Sequence, residues 1–430
     1  MSTDTSAEPN IFERRESEAR SYCRSFPTTF TKAQGSVMTD AEGNEYIDFL
    51  AGCSSLNYGH NDPDMKAALI EHISNDGIAH GLDMYTAEKA KFLEAFETHI
   101  LEPRGMDYKI MMTGPTGTNA VEAAMKLARK ITGRKNIIAF TNGFHGMTMG
   151  ALSLTGNAGK RGGAGGGHLG DVTHLPYDKS LGDTDTLELI EAMLENGSSG
   201  VDAPAAFIFE PIQGEGGLNA ASKEWMEGVA RLAKKHGAML IVDDIQSGIG
   251  RTGTYFGFEH TEIEPDMITQ AKSLSGFGLP FAALLIKREH DIWKPAEHNG
   301  TFRGNTHAFV TGRVAIEKFW ADDSFQKELA EKDALMKKRL TEISEIVPGS
   351  RLKGRGLMRG VDVGSGDLAG EICAKCFENG LIIETSGADD EVVKVLCALT
   401  IPTETLNKGF DILFSAVRDC VPAEQPMAAE

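Results

Sequence analysis

The sequence predicts an α/β protein, with a large domain on a mostly parallel sheet followed by a smaller α+β C-terminal domain. Three observations carry this. Between about residues 63 and 300, helical patterns alternate with short, continuously apolar runs such as NIIAFT, AAFIFEPI and AMLIVDDI. Runs without polar alternation mark strands covered by helices on both faces. The chain has 430 residues, 41% of them hydrophobic, which suits two domains and a sizeable core.

The elements follow in order. Residues 1–35 contain a charged arm, IFERRESEARSYCRSF, expected to be helical. SVMTDAEGNEYIDFL reads as two short strands around a D-x-x-G-N turn. PDMKAALIEHISND and NAVEAAMKLARKITG read as helices, and EWMEGVARLAKKHG as a helix with a glycine stop. From about 306, HAFVTGRVAIEKFW and DSFQKELAEKDALMKKRLTEIS form a long helical stretch. GLMRGVDV, NGLIIET and VVKVLCALTI then read as strands. The expected division is an arm and hairpin over 1–62 packing with the small domain, a large domain over 63–305, and an interdomain helix with the small domain over 306–430. KRGGAGGGHLGD, 160–171, lacks the strand–loop–helix setting of a phosphate cradle and reads as a mobile loop.

A formal charge of −19 argues against nucleic acid or an anionic membrane as partner. The polar start, MSTDTSAEPN, has no signal-peptide pattern, and no apolar run approaches membrane-spanning length. Six cysteines in so long a chain make no disulfide framework, so a cytoplasmic location is expected. Cys373 and Cys376 form a lone CxxC without a second ligand pair, which favours a structural reading over zinc.

Lys272 poses the sharpest chemical question. It sits in ITQAKSLSGFGLP, among serines and glycines, between two apolar runs. An ammonium group there is costly unless it is paired or neutral. Other motifs supply a context. In TGPTGTNAVEAAMKLARKITG, Gly117 and Thr118 open a helix, with Asn119 and Glu122 at capping-box spacing. A plain capped helix start and a phosphate site at the helix N-terminus both fit. In AMLIVDDIQSGIGRTG a strand delivers Asp243 and Asp244 to its C-terminal end, and only one of them can face a given ligand. Glu210 ends another apolar strand in FIFEPIQGEGG, and Glu215 follows in the glycine-rich turn. TNGFHGMTMGAL offers Phe144, either a ring-stacking group or a core residue, beside His145. NGTFRGN supplies Thr301 and Arg303 in a polar turn. Together, a phosphate-binding helix start, a stacking aromatic, a strand-end aspartate and a cushioned lysine are the parts that hold pyridoxal phosphate.

In that order, the motifs G-T-N-A-x-E, F-H-G, E-P-I-Q-G-E-G-G, D-D-I-Q-x-G-x-G-R-T-G, the lysine loop and T-F-x-G-N resemble the class III (ω-amino) aminotransferases over about residues 10–418. The resemblance implies the fold type I architecture of pyridoxal-phosphate transferases, like aspartate aminotransferase. It also implies that Lys272 binds the cofactor covalently and shuttles a proton, that Asp243 pairs with the ring nitrogen, and that Gln246 meets the ring hydroxyl. Gly117 and Thr118 would hold the phosphate, joined by Thr301 from a neighbouring subunit. Phe144 would stack on the ring beside His145, with Glu210 supporting the site. A shared site implies at least a homodimer, with tetramer and hexamer left open, as is a potassium requirement.

VDDIQSGIGRTG, KSLSGFGLPFA and NGLIIETSG narrow the likeness to members that make L-2,4-diaminobutyrate for ectoine synthesis, taking the amino group from L-glutamate and delivering it to L-aspartate 4-semialdehyde. One departure stands out. Where relatives of broad specificity read R-F-A-P-P-L, this chain reads K-V-L-C-A-L, so Lys394 replaces an arginine that would pair with Glu215. Lysine offers a point charge and not a bidentate fork. A weaker Glu215–Lys394 gate and a plain edge-strand lysine both remain open. Arg303, where relatives commonly have glycine, is a second candidate for substrate carboxylates. Cys53, in AGCSSLNYGH, is either a small pocket residue or simple packing. The alternatives are a 4-aminobutyrate- or ornithine-type enzyme, an aminomutase, and a non-catalytic or nucleotide-binding protein.

Overall fold

A computed structural model describes residues 10–162 and 170–421. Its centre is a seven-stranded sheet. In chain order the strands are β1 (Tyr108–Gly114), β2 (Ile137–Phe140), β3 (Val172–Leu175), β4 (Ala206–Phe209), β5 (Met239–Asp243), β6 (Met267–Gln270) and β7 (Ala282–Lys287). They lie in the spatial order β1-β7-β6-β5-β4-β2-β3. Only β7 runs antiparallel to its neighbours, so the sheet is mostly parallel, as expected.

Alternation along each strand divides the core into two layers. Phe207, Phe209, Leu240 and Val242 pack on one face with Trp225, from the helix Lys223–His236. Ala206, Ile208 and Ile241 pack on the other with Val121, Ala124 and Leu127, from the helix Gly117–Thr132. All are essentially buried, and each large apolar side chain so placed stabilises the fold by roughly 1.5–3 kcal/mol. Such two-sided burial is why these strands are apolar throughout. The helix Lys223–His236 stops at Gly237, whose φ of 59° is the left-handed cap that glycine adopts without strain.

The N-terminal arm forms two short helices, Ile11–Arg15 and Tyr22–Ser25, and not one continuous helix. The hairpin has the expected strands Val37–Asp40 and Glu45–Asp48, plus an unforeseen third, Phe30–Gln34. Asp40 shapes the turn by accepting hydrogen bonds from the N–H groups of Glu42 (3.1 Å) and Asn44 (2.8 Å). Leu381–Ile382 adds a fourth strand, parallel to Glu45–Asp48, and so ties this hairpin to the C-terminal part of the chain.

After the helices Thr306–Phe319 and Ser324–Ser344 comes an antiparallel sheet in the order Arg351–Arg355, Met358–Asp362, Val392–Val395, Glu384–Ser386. The run VVKVLCALTI is strand only over Val392–Val395. Beyond it the backbone turns to bond elsewhere: Leu396 N–H donates to the Phe49 carbonyl (2.9 Å) and Leu399 N–H to the Asn57 carbonyl. Cys373 and Cys376 lie in the helix Gly366–Glu378, and no group of metal-ligating side chains occurs among the described residues. No described helix is long and apolar enough to cross a membrane. Of the glycine-rich stretch, 163–169 lie outside the described residues.

Candidate active site

The C-terminal ends of the adjacent strands β4, β5 and β6 converge on a cavity of about 350 Å³. Its lining includes Glu210 just past β4, Asp243 at the end of β5, and Lys272 two residues beyond β6. Gly117, Thr118, Phe144, His145, Glu215 and Gln246 also line it. Nine residues singled out from the sequence therefore share one cavity.

Strand alternation settles the paired aspartates. Asp243 continues the Ile241 face and meets the cavity. Asp244 points away, where its carboxylate accepts from the Ser247 hydroxyl (2.6 Å) and the Gly257 N–H (3.0 Å), and burial pushes its carboxyl up to about 8. The buried Asp243 is fixed by three donors. They are the Thr269 hydroxyl at 2.9 Å, from the register-matched position on β6, the Ile245 N–H at 3.3 Å, and the His145 ring through Nδ1 at 2.6 Å. Burial disfavours a charged His145, but the hydrogen bond and charge of Asp243 outweigh it and raise the imidazole above its ordinary range. Glu210 accepts from the N–H groups of Phe144 (2.8 Å) and Gly214 (3.2 Å), and burial raises it to about 7.

The helix start at Gly117 differs in detail from the sequence reading. Asn119 caps it, its side-chain oxygen accepting from the Thr116 N–H (3.2 Å) and hydroxyl (2.8 Å). Glu122 takes no part in the cap. It reaches across to accept from the Thr148 hydroxyl (2.7 Å) and the Gly150 N–H (2.9 Å). Gly117 and Thr118 of the first turn line the cavity, where a helix start has no carbonyl one turn earlier for its N–H groups to bond. A Cβ on Gly117 would lie 2.7 Å from the Ile245 side chain, so only glycine lets this turn close on the cavity wall.

Lys272 begins a short 3₁₀ turn, Lys272–Ser275, with φ of 50°. Burial pushes its amine below the ordinary range, opposed by the charge of Glu215. The next residue pins the loop: the Ser273 hydroxyl donates to the Ser54 carbonyl (2.7 Å) and accepts from the Asn57 N–H (2.9 Å). A Cβ on Gly276 would lie 2.7 Å from that of Ala315. The small residues around Lys272 therefore serve close packing.

The segment that Ser273 holds is unusual. Ala51, Gly52, Cys53 and Ser54 all have positive φ, at 44°, 56°, 55° and 71°, a left-handed turn that three non-glycine residues enter at a cost of about 1–2 kcal/mol each. Asp48 compensates by accepting the N–H groups of Leu50 and Ala51, both at 2.8 Å. Cys53 is not among the lining residues; its thiol lies 2.8 Å from the Tyr22 hydroxyl, and burial pushes that thiol up to about 11.

Lys394 is fully buried on an inner strand of the C-terminal sheet, which removes the edge-strand reading. Its Nζ donates to Glu215 Oε1 at 3.2 Å and lies 2.9 Å from Glu384 Oε1. The Lys394 charge holds the Glu215 carboxyl down at about 2. Burial opposes the Lys394 charge, but Glu215 and Glu384 together raise the amine above its ordinary range. Glu384 and Tyr22 were not singled out from the sequence. Register offers the missing signal, since Glu384 and Lys394 are directly paired across two antiparallel strands.

Thr301 and Arg303 are not brought to the cavity of their own chain. Their turn, Thr301–Gly304, packs near the edge strand β1, and the Arg303 guanidinium donates to the His298 carbonyl (2.9 Å).

The aminotransferase class III family pattern matches residues 19–417. The chain belongs to the class III aminotransferases. Among curated relatives it is 53% identical to a diaminobutyrate–2-oxoglutarate transaminase of Halomonas elongata, covering 95% of this chain and 98% of that one. It is 52% identical to the enzyme of that name from Halalkalibacterium halodurans, covering 97% and 98%. Solved structures agree on architecture. An S-selective transaminase from Arthrobacter sp. superposes with a TM-score of 0.84 at 22% identity, covering 96% of this chain and 98% of that one. An ornithine aminotransferase from Toxoplasma gondii, described with partial occupancy of pyridoxal phosphate at its active site, gives a TM-score of 0.79 at 25% identity, covering 95% and 93%.

As a class III aminotransferase, the chain uses pyridoxal phosphate, and its cavity offers matching chemistry. Gln246 Oε1 is buried there without a partner among the described residues, an acceptor available to a ring hydroxyl. A buried carboxylate, an aromatic face, a helix N-terminus and an amine complete the donor set. These residues fit the cofactor.

Proposed function

We propose that this enzyme moves the amino group of L-glutamate to the terminal aldehyde of L-aspartate 4-semialdehyde, giving 2-oxoglutarate and L-2,4-diaminobutyrate for osmolyte synthesis in the cytoplasm. The observation that carries the chemistry is the convergence of Lys272, Asp243 and the Gly117 helix start on one cavity. The names of relatives above 50% identity across nearly the whole chain support the substrate pair. Removing the 4-amino group of diaminobutyrate leaves aspartate 4-semialdehyde, and adding it to 2-oxoglutarate gives glutamate.

When bound, pyridoxal phosphate supplies an electrophilic carbon and a ring that draws electrons from the substrate carbon losing its proton. Lys272 Nζ would hold that carbon and then carry the proton. Asp243, oriented by Thr269 and His145, would keep the ring nitrogen protonated. The N–H groups of Gly117 and Thr118 would hold the phosphate, Phe144 would cover the ring and Gln246 would meet its hydroxyl. Glu210, held by two backbone N–H groups, would keep the Phe144 turn in place. Thr301 would complete the phosphate site of a neighbouring copy, so the active unit is at least a homodimer.

Glutamate with each of aspartate, succinate and glutamate semialdehydes, followed by 2-oxoglutarate release, tests this reading. Aspartate semialdehyde should lead in kcat/KM by about tenfold or more. Faster turnover with either of the others would move the assignment to a 4-aminobutyrate or ornithine type.

A further inference from the structure

One of the two sequence readings of Lys394 pairs it with Glu215; the structure adds a second carboxylate. Lys394, with no exposed surface, lies between Glu215 at 3.2 Å and Glu384 at 2.9 Å. The two acids are not equivalent. Glu215 lines the cavity and is 32% exposed, whereas Glu384 lies outside that lining, is 14% exposed and is held in register opposite Lys394. Tyr22 and Cys53, the other titratable groups at this end, are hydrogen-bonded to each other, and burial keeps both in their neutral forms. The Lys272 amine also lies near, but burial disfavours its charge and it is the residue assigned to the cofactor.

We propose that Glu384 determines substrate preference: as a fixed second counter-ion of Lys394, it gives the three-residue cluster a net charge of −1 and disfavours a second substrate carboxylate. This rests on the aminotransferase reading above. A carboxylate that displaces Glu215 does not meet a free ammonium; it meets one already neutralised by Glu384. An incoming ammonium, by contrast, finds Glu215 available while Glu384 keeps Lys394 balanced. Glutamate brings two carboxylates. Diaminobutyrate brings one carboxylate and, besides its reacting amine, a second ammonium. The cluster therefore separates the two amino donors by charge, with Glu384 acting through Lys394 as a positioning residue.

Glu384→Gln removes one negative charge with little change of shape. Glutarate, which carries two carboxylates and no amine, reads the effect by calorimetry on the holoenzyme without turnover. Its dissociation constant should fall roughly threefold to tenfold in Glu384→Gln, as should KM for glutamate, while KM for diaminobutyrate rises. Glu384→Asp, which keeps the charge, should retain the wild-type ratio of the two KM values. Equal changes for both donors, or a Glu384→Asp ratio shifted as far as that of Glu384→Gln, would overturn the proposal. The unaltered holoenzyme provides a check independent of folding: it should bind glutarate no more tightly than glutarate monoamide. A clear preference for the dianion defeats the charge argument. Because the glutarate measurements need no turnover, they stand apart from the assignment of aspartate semialdehyde as acceptor, which the semialdehyde panel decides alone.

Discussion

Glu384 and Lys394 face each other across two antiparallel strands, with carboxylate and ammonium 2.9 Å apart. Glu215 approaches the same ammonium from the glycine-rich turn of the large sheet's side, 3.2 Å away. One buried lysine thus joins two parts of the chain 179 residues apart in sequence: strand pairing holds one acid, and the cavity turn supplies the other.

Replacing Lys394 with Met should expose how much the ion cluster stabilises the fold. With Glu215 held at about 2, below its ordinary value of 4.5, its contribution is present above about pH 4.5 and is lost as pH falls toward 2. Lys394→Met should therefore lower unfolding free energy by roughly 2–3 kcal/mol near pH 7. The gap from wild type should narrow below pH 4.5. A gap independent of pH in denaturant titrations would show that packing, and not charge, dominates.

Lys394 and Arg303 are the two sequence candidates for carboxylate binding, and losing Lys394 would leave Glu215 and Glu384 without their shared counter-ion. The single-turnover glutamate half-reaction should slow by about tenfold or more in Lys394→Ala. Arg303→Ala should slow it only through a neighbouring copy. Unchanged rates in both variants would remove both residues from carboxylate binding.

Asp243→Asn removes the carboxylate charge proposed to keep the cofactor's ring nitrogen protonated. Activity should fall by roughly 10²-fold or more. His145 should respond as well. Its raised pKa gives stability that is fully present below about pH 6.5 and is lost as pH rises through the folded value. In Asp243→Asn that window should close and the imidazole should titrate lower by NMR; an unmoved His145 would contradict the 2.6 Å pairing.

Lys272→Ala should abolish the blue-region absorption of the holoenzyme. Borohydride reduction of the wild type should fix the cofactor mass on the peptide containing Lys272. A label on any other lysine would overturn the assignment.

Ser273→Ala tests the link between the lysine loop and the left-handed turn. It strands the Asn57 N–H and the Ser54 carbonyl inside the protein, at a cost of about 1–3 kcal/mol. The melting temperature should drop accordingly, and an unchanged value would show that other groups take over both bonds.

Much of the site was legible because chemistry and strand endings coincide in the sequence. Asp243, Glu210 and Lys272 each follow an apolar run, and parallel strands deliver their C-terminal ends to one place. Alternation also made clear that Asp243 and Asp244 could not share a ligand. Glu384 was not legible, because its meaning depends on the register of two strands separated by a turn. The left-handed turn at 51–54 was hidden too, since three of its four residues are types that ordinarily avoid positive φ. Glu122 misled because capping-box spacing is a local pattern, whereas its partners at Thr148 and Gly150 come from a separate loop.

That turn also restricts how the enzyme can be redesigned. Cys53 has a φ of 55°, a conformation in which β-branched side chains crowd the backbone. Valine, isoleucine or threonine there would strain the main chain that Ser273 and Asp48 hold in place. Libraries that seek a wider or narrower substrate range at position 53 should therefore yield folded protein mainly from glycine, alanine, serine and asparagine. Ile245, which lines the cavity and has no positive φ, is the freer position for bulkier change.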